Sequence, residues 1–576
     1  MKRTPVAMTT LASSGDVTRA FEPKKLVVDI SNTSKESRKA VTAAVEAHPH
    51  MTATKKSISA HVLWIDRALP IQRFYLQRMA GNRRVFQRTN RFFGMDDRFG
   101  KSSLTCSLRM SNELLCKEPI LHAKKFCQGI VAPFLPRTFC VPDEEQQVAA
   151  YTASTESILT KTHEAPWYIV KPSLGRCGRG MYLANSLESA LTGWKEEKLM
   201  DYGEEDAVKP VSAAYAGKDG KEVTKGPYPS IIQQYISRPM LFGASRRKFD
   251  IRLYVVVTDT TPLRAFLYKE GLVRCCCMDY EQPSPANAHL LHVHLTNSKI
   301  NPSTTGAVAK GHKQTLNKRL LSDWLYTLED TENVQQGKGG HLTRESFWSQ
   351  AHGIISNTLQ AIQPATAFFY DTCFARTERE RNDTSRSFQT LGFDVMSDEA
   401  GKLWLLEVNA NPSLNLDTPV DENIKLPLLN GVFNMLSHGA HDGFLKVPTS
   451  ADLFEPITFD EGQDDLLNEL RFIYTKFCGW IEGNPKPAKD GPMSASKKGE
   501  LLKAMQSVYA MQSTLIEPTP ALDEKVSDCS MLEDFICLFT HVRNDIVLQC
   551  AKVGGLKGPE AIFTREVEKQ LLSSMI

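Results

Sequence analysis

Residues 402–414, KLWLLEVNANPSL, read with GFDVM at 392–396, decide how the chain folds and what it can hold. In a strand over LWLLEVN alternate residues point to opposite faces, so Glu407 and Asn409 share one face, roughly 7 Å apart. The intervening SDEAG reads as a turn that folds GFDVM back as an antiparallel partner. Pairing about that turn sets Asp394 across from Trp404 or Leu405, a diagonal step from Glu407. Two carboxylates and an amide oxygen then converge. Such an all-oxygen site suits a hard divalent cation, Mg²⁺ holding nucleotide phosphates before others. A hairpin with a polar solvent face would read the same in isolation, so the remainder of the chain must separate the two.

At 576 residues the chain is too long for one compact core and points to several domains or one elaborated domain. Its 41% hydrophobic and 23% charged content is that of a soluble globular protein. No run of about 18 apolar residues occurs, so a membrane span is not expected. The opening MKRTPVAMTTLASSG lacks the apolar core of a secretory signal. Thirteen cysteines, odd in number and irregularly spaced, suit reduced thiols in the cytosol. The net charge of +3 hides a local excess: between Asp66 and Lys101 eight arginines and one lysine stand against three aspartates. That face favours an acidic partner, nucleic acid or an acidic protein tail, although a solvated basic helix would give the same run.

Residues 1–55, rich in Ser, Thr, Ala and Lys with weak periodicity, read as a disordered tail. HVLWI (61–65) opens the first strand, and NELLCKEPILHAKKF (112–126) has helical spacing. LPRTFCVP (135–142) is extended between its prolines. WYIVKPSLGRCGRGMYLA (167–184) reads as strand, glycine-rich loop, strand. SIIQQYI (230–236) is a further strand, and KFDIRLYVVVT (248–258) with LRAFLYKEGLVRCC (263–276) suits a hairpin-like pair. Residues 186–229 and 303–345, polar and rich in Gly, Lys and Thr, are expected to contain surface insertions. From about 450 the pattern becomes amphipathic and helical, interrupted by a linker near 483–499.

In KFDIRLYVVVT the residues Lys248, Asp250, Arg252 and Tyr254 share one face and Phe249, Ile251, Leu253 and Val255 the other. Consecutive Lys, Asp and Arg on a strand face could line a charged cleft or merely pair at a surface. Arg264 on the next strand could reach the same cleft with a planar fork suited to carboxylate or phosphate. In SLGRCGRG, Gly178 and Gly180 let backbone amides approach a phosphate, with Lys171 and Arg176 beside them. This is neither a P-loop nor a dinucleotide fingerprint, and a plain hairpin would look alike. IIQQYISRP could supply an adenine slot, and HLTN (294–297) adds hydroxyl and amide groups. His292 and His294 with the three consecutive cysteines 275–277 lack zinc-ligand spacing. Nothing supports a Ser or Cys triad.

Taken in order, these segments resemble the tubulin tyrosine ligase-like family of ATP-grasp amino-acid ligases, from about Trp64 to about Leu429. QRTNRFFGM is similar to the family's QxxNHFPGM, with Arg91 and Phe93 replacing His and Pro. LCKEPIL resembles its RKDxL segment and FLPRTFCVP its FxPxTxxLP segment. YIVKPSLGRCGRGMYL, IIQQYISRPML, KFDIRLYVVVT, PLRAFLYKEGLVR, HLTN, GFDV and WLLEVNANPSL follow. Cys177, Gln234 and Gln389 depart from residues common in relatives.

The resemblance implies an α/β chain with an ATP-grasp fold: an N-terminal α/β domain (56–145), a central domain (146–229) and a catalytic domain (230–445). It does not explain the flanks, among them the helical C-terminal extension (446–576) read from its amphipathic pattern. It implies ATP-dependent formation of an amide or isopeptide bond through an acylphosphate. Lys117 and Lys171 would bind phosphates, with Arg176, Gly178 and Gly180 in the loop over the nucleotide. Gln233, Gln234, Tyr235, Ile236, Lys248 and Asp250 would form the adenosine pocket. Asp394, Glu407 and Asn409 would hold Mg²⁺, and Arg252 and Arg264 would grip the amino acid's carboxylate or the acylphosphate, beside Thr296 and Asn297.

Within the family the motifs look most like those of glutamate-adding members. The expected partners are therefore free glutamate and the acidic C-terminal tails of tubulin in microtubules, with room for accessory subunits, and neither nucleic acid nor a membrane. The expected location is the cytoplasm and cytoskeleton, at the axoneme or basal body of a cilium or flagellum. Tyrosine or glycine ligation, glutamylation of another protein, and a microtubule-binding protein with a vestigial ATP site are the alternatives.

Overall fold

The computed structural model describes residues 25–55, 60–66, 87–92, 95–115, 132–159, 166–173, 178, 180–196, 229–244, 246–297, 300–301, 317–329, 342–373, 385–438 and 453–459. Most of the expected helical extension with its linker, the basic residues 67–86 and most of the 112–126 segment lie outside them. Residues 453–459 of that extension are described and form a strand, Phe454–Pro456, where a helix was expected.

LVVD, KESRKAVTAAVEA and MTAT form β1 (Leu26–Asp29), α1 (Lys35–Ala47) and β2 (Met51–Thr54). With β3 (Val62–Leu63) and β4 (Arg88–Thr89) they make a parallel sheet in the order β2-β1-β3-β4. Parallel neighbours need a crossover, and α1 supplies it. Ser34 caps this helix, its side chain accepting from Ser37 N at 3.2 Å. Ala40, Val41, Ala44 and Val45 are buried on one stripe. The expectation of a disordered tail through residue 55 is thus corrected for residues 25–55. Composition averaged over the window hid a short apolar strand and an amphipathic helix.

The basic run is corrected in part as well. Of its eight arginines, Arg88, Arg91 and Arg98 are buried and offer no surface to an acidic partner. α2 (Met95–Arg98) and α3 (Lys101–Leu115) follow the sheet.

The second sheet holds β5 (Thr138–Val141), β6 (Tyr168–Pro172), β7 (Tyr182–Ala184) and β8 (Ser230–Gln234), antiparallel in the order β5-β8-β6-β7. Phe139, Val170, Ile232, Ala190 and Trp194 pack together where α4 (Glu145–Leu159) and α5 (Leu187–Glu196) cover one face. Strand alternation puts Lys171 and Gln233 on the other face.

The third sheet is the largest. β9 (Leu241–Phe242), β10 (Arg247–Thr260) and β11 (Leu263–Cys275) precede the short α6 (Leu291–His294). β12 (Lys318–Leu320), α7 (Leu321–Glu329), α8 (Arg344–Cys373), β13 (Gln389–Ser397), β14 (Leu403–Asn409), α9 (Pro419–His438) and β15 (Phe454–Pro456) complete it. Its path is β12-β11-β10-β13-β14, with β9 beside β10 and β15 beside β11. Alternation along β10 sends Phe249, Ile251, Leu253, Val255 and Val257 into a core shared with α7 and α8. Tyr254 and Val256 face the opposite core, which α1 and α9 close. The polar residues Lys248, Asp250 and Arg252 therefore gather at one end of the strand, on the Tyr254 face.

A buried ion triad fastens α9 to that end. Asp421, fully buried, accepts from Lys318 Nζ at 2.8 Å and lies 2.8 Å from Lys425 Nζ. Lys425 also donates to Asn415 O at 2.6 Å, fixing the loop that leaves β14. Burial alone would raise the Asp421 pKa, but Lys425 and the bonds from both lysines hold it below the usual value. Asp421→Ala leaves two buried ammonium groups without their anion. The expected loss is about 3–5 kcal/mol in urea unfolding, whereas a surface pair would contribute under about 1.

Candidate active site

The β13–β14 hairpin forms as its alternation predicts, with one change of register. Val395 pairs with Leu405, but Asp394 pairs with Glu407, a bulge leaving Leu406 over. The two carboxylates are therefore directly opposed, not diagonal as simple pairing about the turn suggests. Asn409 Nδ2 donates to Glu407 Oε1 at 3.1 Å and to Asp394 Oδ2 at 3.4 Å.

β10 and β11 bring the cations. Arg252 donates from Nε to Asp394 Oδ1 and from Nη2 to Oδ2, the latter at 2.8 Å. Arg274, in register with Asp250, donates to both its oxygens at 2.6 Å, and its Nη2 lies 2.7 Å from Asp394 Oδ2. Thr296 Oγ1 donates to Asp250 Oδ2 at 2.5 Å. The result is a buried alternating row, Arg252, Asp394, Arg274, Asp250. Burial would raise the Asp394 pKa, yet Arg252 and Arg274 pull it down to about 2. Burial by itself lowers an arginine's affinity for its proton, but the carboxylates raise both Arg252 and Arg274. Gly392 makes room for this row, because a Cβ there would fall 2.8 Å from Arg252 Cδ and 3.0 Å from Pro412 Cβ.

Opposite, the second sheet offers Lys171, whose Nζ donates to Gln233 Oε1 at 2.7 Å, while Gln233 Nε2 donates to Thr138 Oγ1 at 2.9 Å. Burial takes the Lys171 pKa down to about 8, Lys101 adding to the fall while Glu407 and Asp394 oppose it. Lys248 Nζ donates to Tyr235 OH at 2.7 Å, and burial depresses it to about 7. Tyr235 OH also meets His294 Nδ1 at 3.1 Å. Burial, with Lys248 nearby, lowers His294 to about 4.

The expected residues divide accordingly. Asp394, Glu407, Asn409, Arg252, Asp250, Thr296, Lys248, Tyr235, Gln233 and Lys171 come together. Gly178, with φ +80°, lies against Asn297: a Cβ on it would sit 3.4 Å from Asn297 Cγ and 2.6 Å from Ile300 Cδ1. Gly180 also has positive φ, +69°. Gln234 is corrected: its side chain is exposed on the face away from Gln233 and Lys171. Ile236 is half-buried just beyond β8. Lys117 and Arg176 lie outside the described residues.

Arg264 is the clearest correction. It sits exposed opposite Asp259, at the turn end of the β10–β11 hairpin, away from Asp250 and Arg252. Arg274, at the other end of the same strand, occupies the position expected of it. Register could have shown this, because two residues that pair across a tight hairpin lie equally far from its turn. Lys101 was missed too: it begins α3 close enough to Lys171 to depress its pKa, and Ser102 Oγ lies 2.5 Å from Ser173 Oγ. His294, first residue of HLTN and without zinc-ligand spacing, meets Tyr235 OH and so steadies that ring.

Among the described residues no three His, Cys, Asp or Glu side chains cluster as a metal site. The donor set here is two carboxylates and one amide, which suits a hard oxygen-seeking cation and not zinc. A half-turn of the Asn409 amide would present its oxygen in place of its nitrogen.

The sequence profile of the tubulin-tyrosine ligase family matches residues 83–443. The chain belongs to that family. Tubulin polyglutamylase ttll6 of Danio rerio is 30% identical over 357 residues, covering 62% of this chain and 37% of the relative. Tubulin polyglutamylase TTLL6 of Mus musculus is 28% identical over 419 residues, 73% of this chain and 41% of the relative. Tubulin polyglutamylase TTLL11 of Homo sapiens is 28% identical over 364 residues, 60% and 42% respectively. The chain spans about two fifths of the length of these curated relatives. The tubulin-tyrosine ligase family match takes in all the clustered side chains, from Lys101 to Asn409. Among the described residues no helix is long and apolar enough to cross a membrane.

Two predictions follow from the charged row. Arg264→Ala should leave stability within about 0.5 kcal/mol, whereas Arg274→Ala, leaving buried Asp250 without its guanidinium, should cost about 3–5 kcal/mol in denaturant unfolding. Because the folded pKa of Asp394 lies below the usual 3.8, its contribution is present above that value. It disappears as pH falls from about 4 to about 2, a loss of about 2 kcal/mol that Asp394→Asn should remove from the acid limb of a stability–pH profile.

Proposed function

We propose that this chain is an ATP-dependent ligase that adds glutamate to glutamate side chains in the acidic C-terminal tails of tubulin. One observation carries the reading: Asp394, Glu407 and Asn409 converge beside two arginines and near the buried Lys171, in a tubulin-tyrosine ligase family chain whose relatives are named tubulin polyglutamylases. In this reading the second and third sheets are the two halves of an ATP-grasp fold. Lys171 and Lys101, with the Gly178–Gly180 turn, take the phosphates, while Gln233, Tyr235, Lys248 and Asp250 take the adenosine. Asp394, Glu407 and Asn409 would hold Mg²⁺, which supplies charge neutralisation at the transferring phosphoryl group.

The γ-phosphoryl group passes to an acceptor carboxylate oxygen, the bridging bond to ADP breaking as the acylphosphate forms. The unprotonated amino group of free glutamate then attacks the acyl carbon. The C–N bond forms, the C–O bond to phosphate breaks, inorganic phosphate leaves, and the amine's proton passes to solvent. Neither step needs a protein nucleophile. Positioning and fixed positive charge are what the site must provide, and Arg252 and Arg274 carry that charge toward the acylphosphate or the incoming carboxylate. The cytoskeleton is then the place of work, at microtubules of the cell body or the cilium.

The reading is tested by incubating the full chain with purified microtubules, ATP, Mg²⁺ and labelled glutamate, glycine or tyrosine, beside Glu407→Gln. Glutamate should be incorporated, and the variant should lose at least about a hundredfold in rate, the scale of removing one electrostatic contact to the transition state. Preferential labelling by glycine or tyrosine would overturn the choice of amino acid. Equal incorporation by the variant would overturn the assigned site.

A further inference from the structure

The backbone just past Asn409 is held from two sides. The carbonyl oxygen of Ala410 accepts from Gln389 Nε2 at 2.9 Å and from Arg91 Nη1 at 3.0 Å. Both donors are themselves anchored. Gln389 Nε2 also donates to Asp96 Oδ1 at 2.7 Å, and its Oε1 accepts from Phe92 N at 2.8 Å. Arg91 Nε donates to Ile65 O at 2.9 Å, and its Nη1 lies 3.7 Å from Asp96 Oδ1. Gln389 is fully buried and Arg91 is 3% exposed. A carbonyl has two lone pairs, and here each meets a side chain from a different stretch of the chain.

We infer that Gln389 and Arg91 are positioning residues that fix Ala410, and through it the orientation of Asn409 and Glu407 toward the cation. The inference rests on the functional reading above and adds to it a second layer behind the metal-binding side chains. An amide is the group position 389 requires. It must donate to Ala410 O and Asp96 while accepting from Phe92 N, and a carboxylate could only accept. A carboxylate would also set a second negative charge against Asp96. Gln389 sits on β13, the strand paired with β14, so the clamp and Asn409 belong to one hairpin.

The test is calorimetric binding of a non-hydrolysable β,γ-imido ATP analogue to the full chain, with and without Mg²⁺. In Gln389→Glu, which keeps volume, and in Gln389→Met, the factor by which Mg²⁺ tightens binding should fall roughly tenfold, the effect of one lost buried hydrogen bond. Metal-free affinity should stay at the wild-type value. Asn409→Ala should abolish the Mg²⁺ effect, and adding Gln389→Met to it should cost nothing more. Should Gln389→Met fail to fold, Arg91→Lys, which keeps the charge and loses the fork, takes its place in the cycle. An undiminished Mg²⁺ effect in the Gln389 variants, equal losses with and without metal, or additivity with Asn409→Ala would overturn the positioning role and leave the ligase reading standing. A wild-type chain that binds no Mg²⁺–nucleotide would overturn both.

Discussion

A carboxylate buried between two guanidinium groups governs this structure. Asp394 could not remain ionised in that position without Arg252 and Arg274, and the two cations could not be buried without Asp394 and Asp250. Each ion's desolvation is offset only by its neighbours, so the row is stable as a unit and in no smaller part. Because β10 carries Asp250 and Arg252, β11 carries Arg274 and β13 carries Asp394, the row also specifies the register of three adjacent strands. A one-residue slip of any of them would turn its charge into an apolar core.

Geometry then follows from two small backbone devices. The bulge beside Asp394 adds one residue to β14 and sets Glu407, in place of Leu406, opposite Asp394. Gly392 leaves the space in which the Arg252 side chain crosses β13. Behind them, the triad of Lys318, Asp421 and Lys425 ties α9 and the loop after β14 to the sheet edge. The β13–β14 hairpin is thus braced from its partner strand, from the N-terminal segment through Arg91, and from α9. That bracing suits chemistry performed by placement and fixed charge.

Much of this was legible in the sequence because it depends on period-two alternation. The shared face of Lys248, Asp250 and Arg252, the hairpin around 397–401 and the pairing of Glu407 with Asn409 all come from that one rule. What was not legible depends on register and tertiary contact. A bulge leaves no periodic mark and shifts the pairing by one residue, and the wider turn adds the remainder, so Asp394 lies opposite Glu407 and not Trp404 or Leu405. Arg264 and Arg274 lie on the same strand with equally suitable chemistry, and only distance from the hairpin turn separates them. Lys101 stands in a polar GKSS whose proximity to Lys171 is created by packing of α3 on the second sheet. The ordered β1–α1–β2 unit was lost to averaging, its strands being only four residues long.

Stability and ligand binding pull Lys171 in opposite directions. The folded pKa values of about 8 for Lys171 and about 7 for Lys248 lie below the usual 10.5. Between those values and 10.5 the unfolded chain binds more protons, so folding becomes more favourable as pH rises through that window. Phosphate recognition asks for the protonated ammonium, and is weakened over the same range. A bound phosphate would raise the Lys171 pKa back toward that of free lysine by supplying the charge that burial removed. The free site therefore carries an unfavourable term that a phosphate relieves. Replacing Lys171 by an apolar residue of similar length would stabilise the empty protein and remove what the phosphate recognises, so the cost is intrinsic to the role proposed for it.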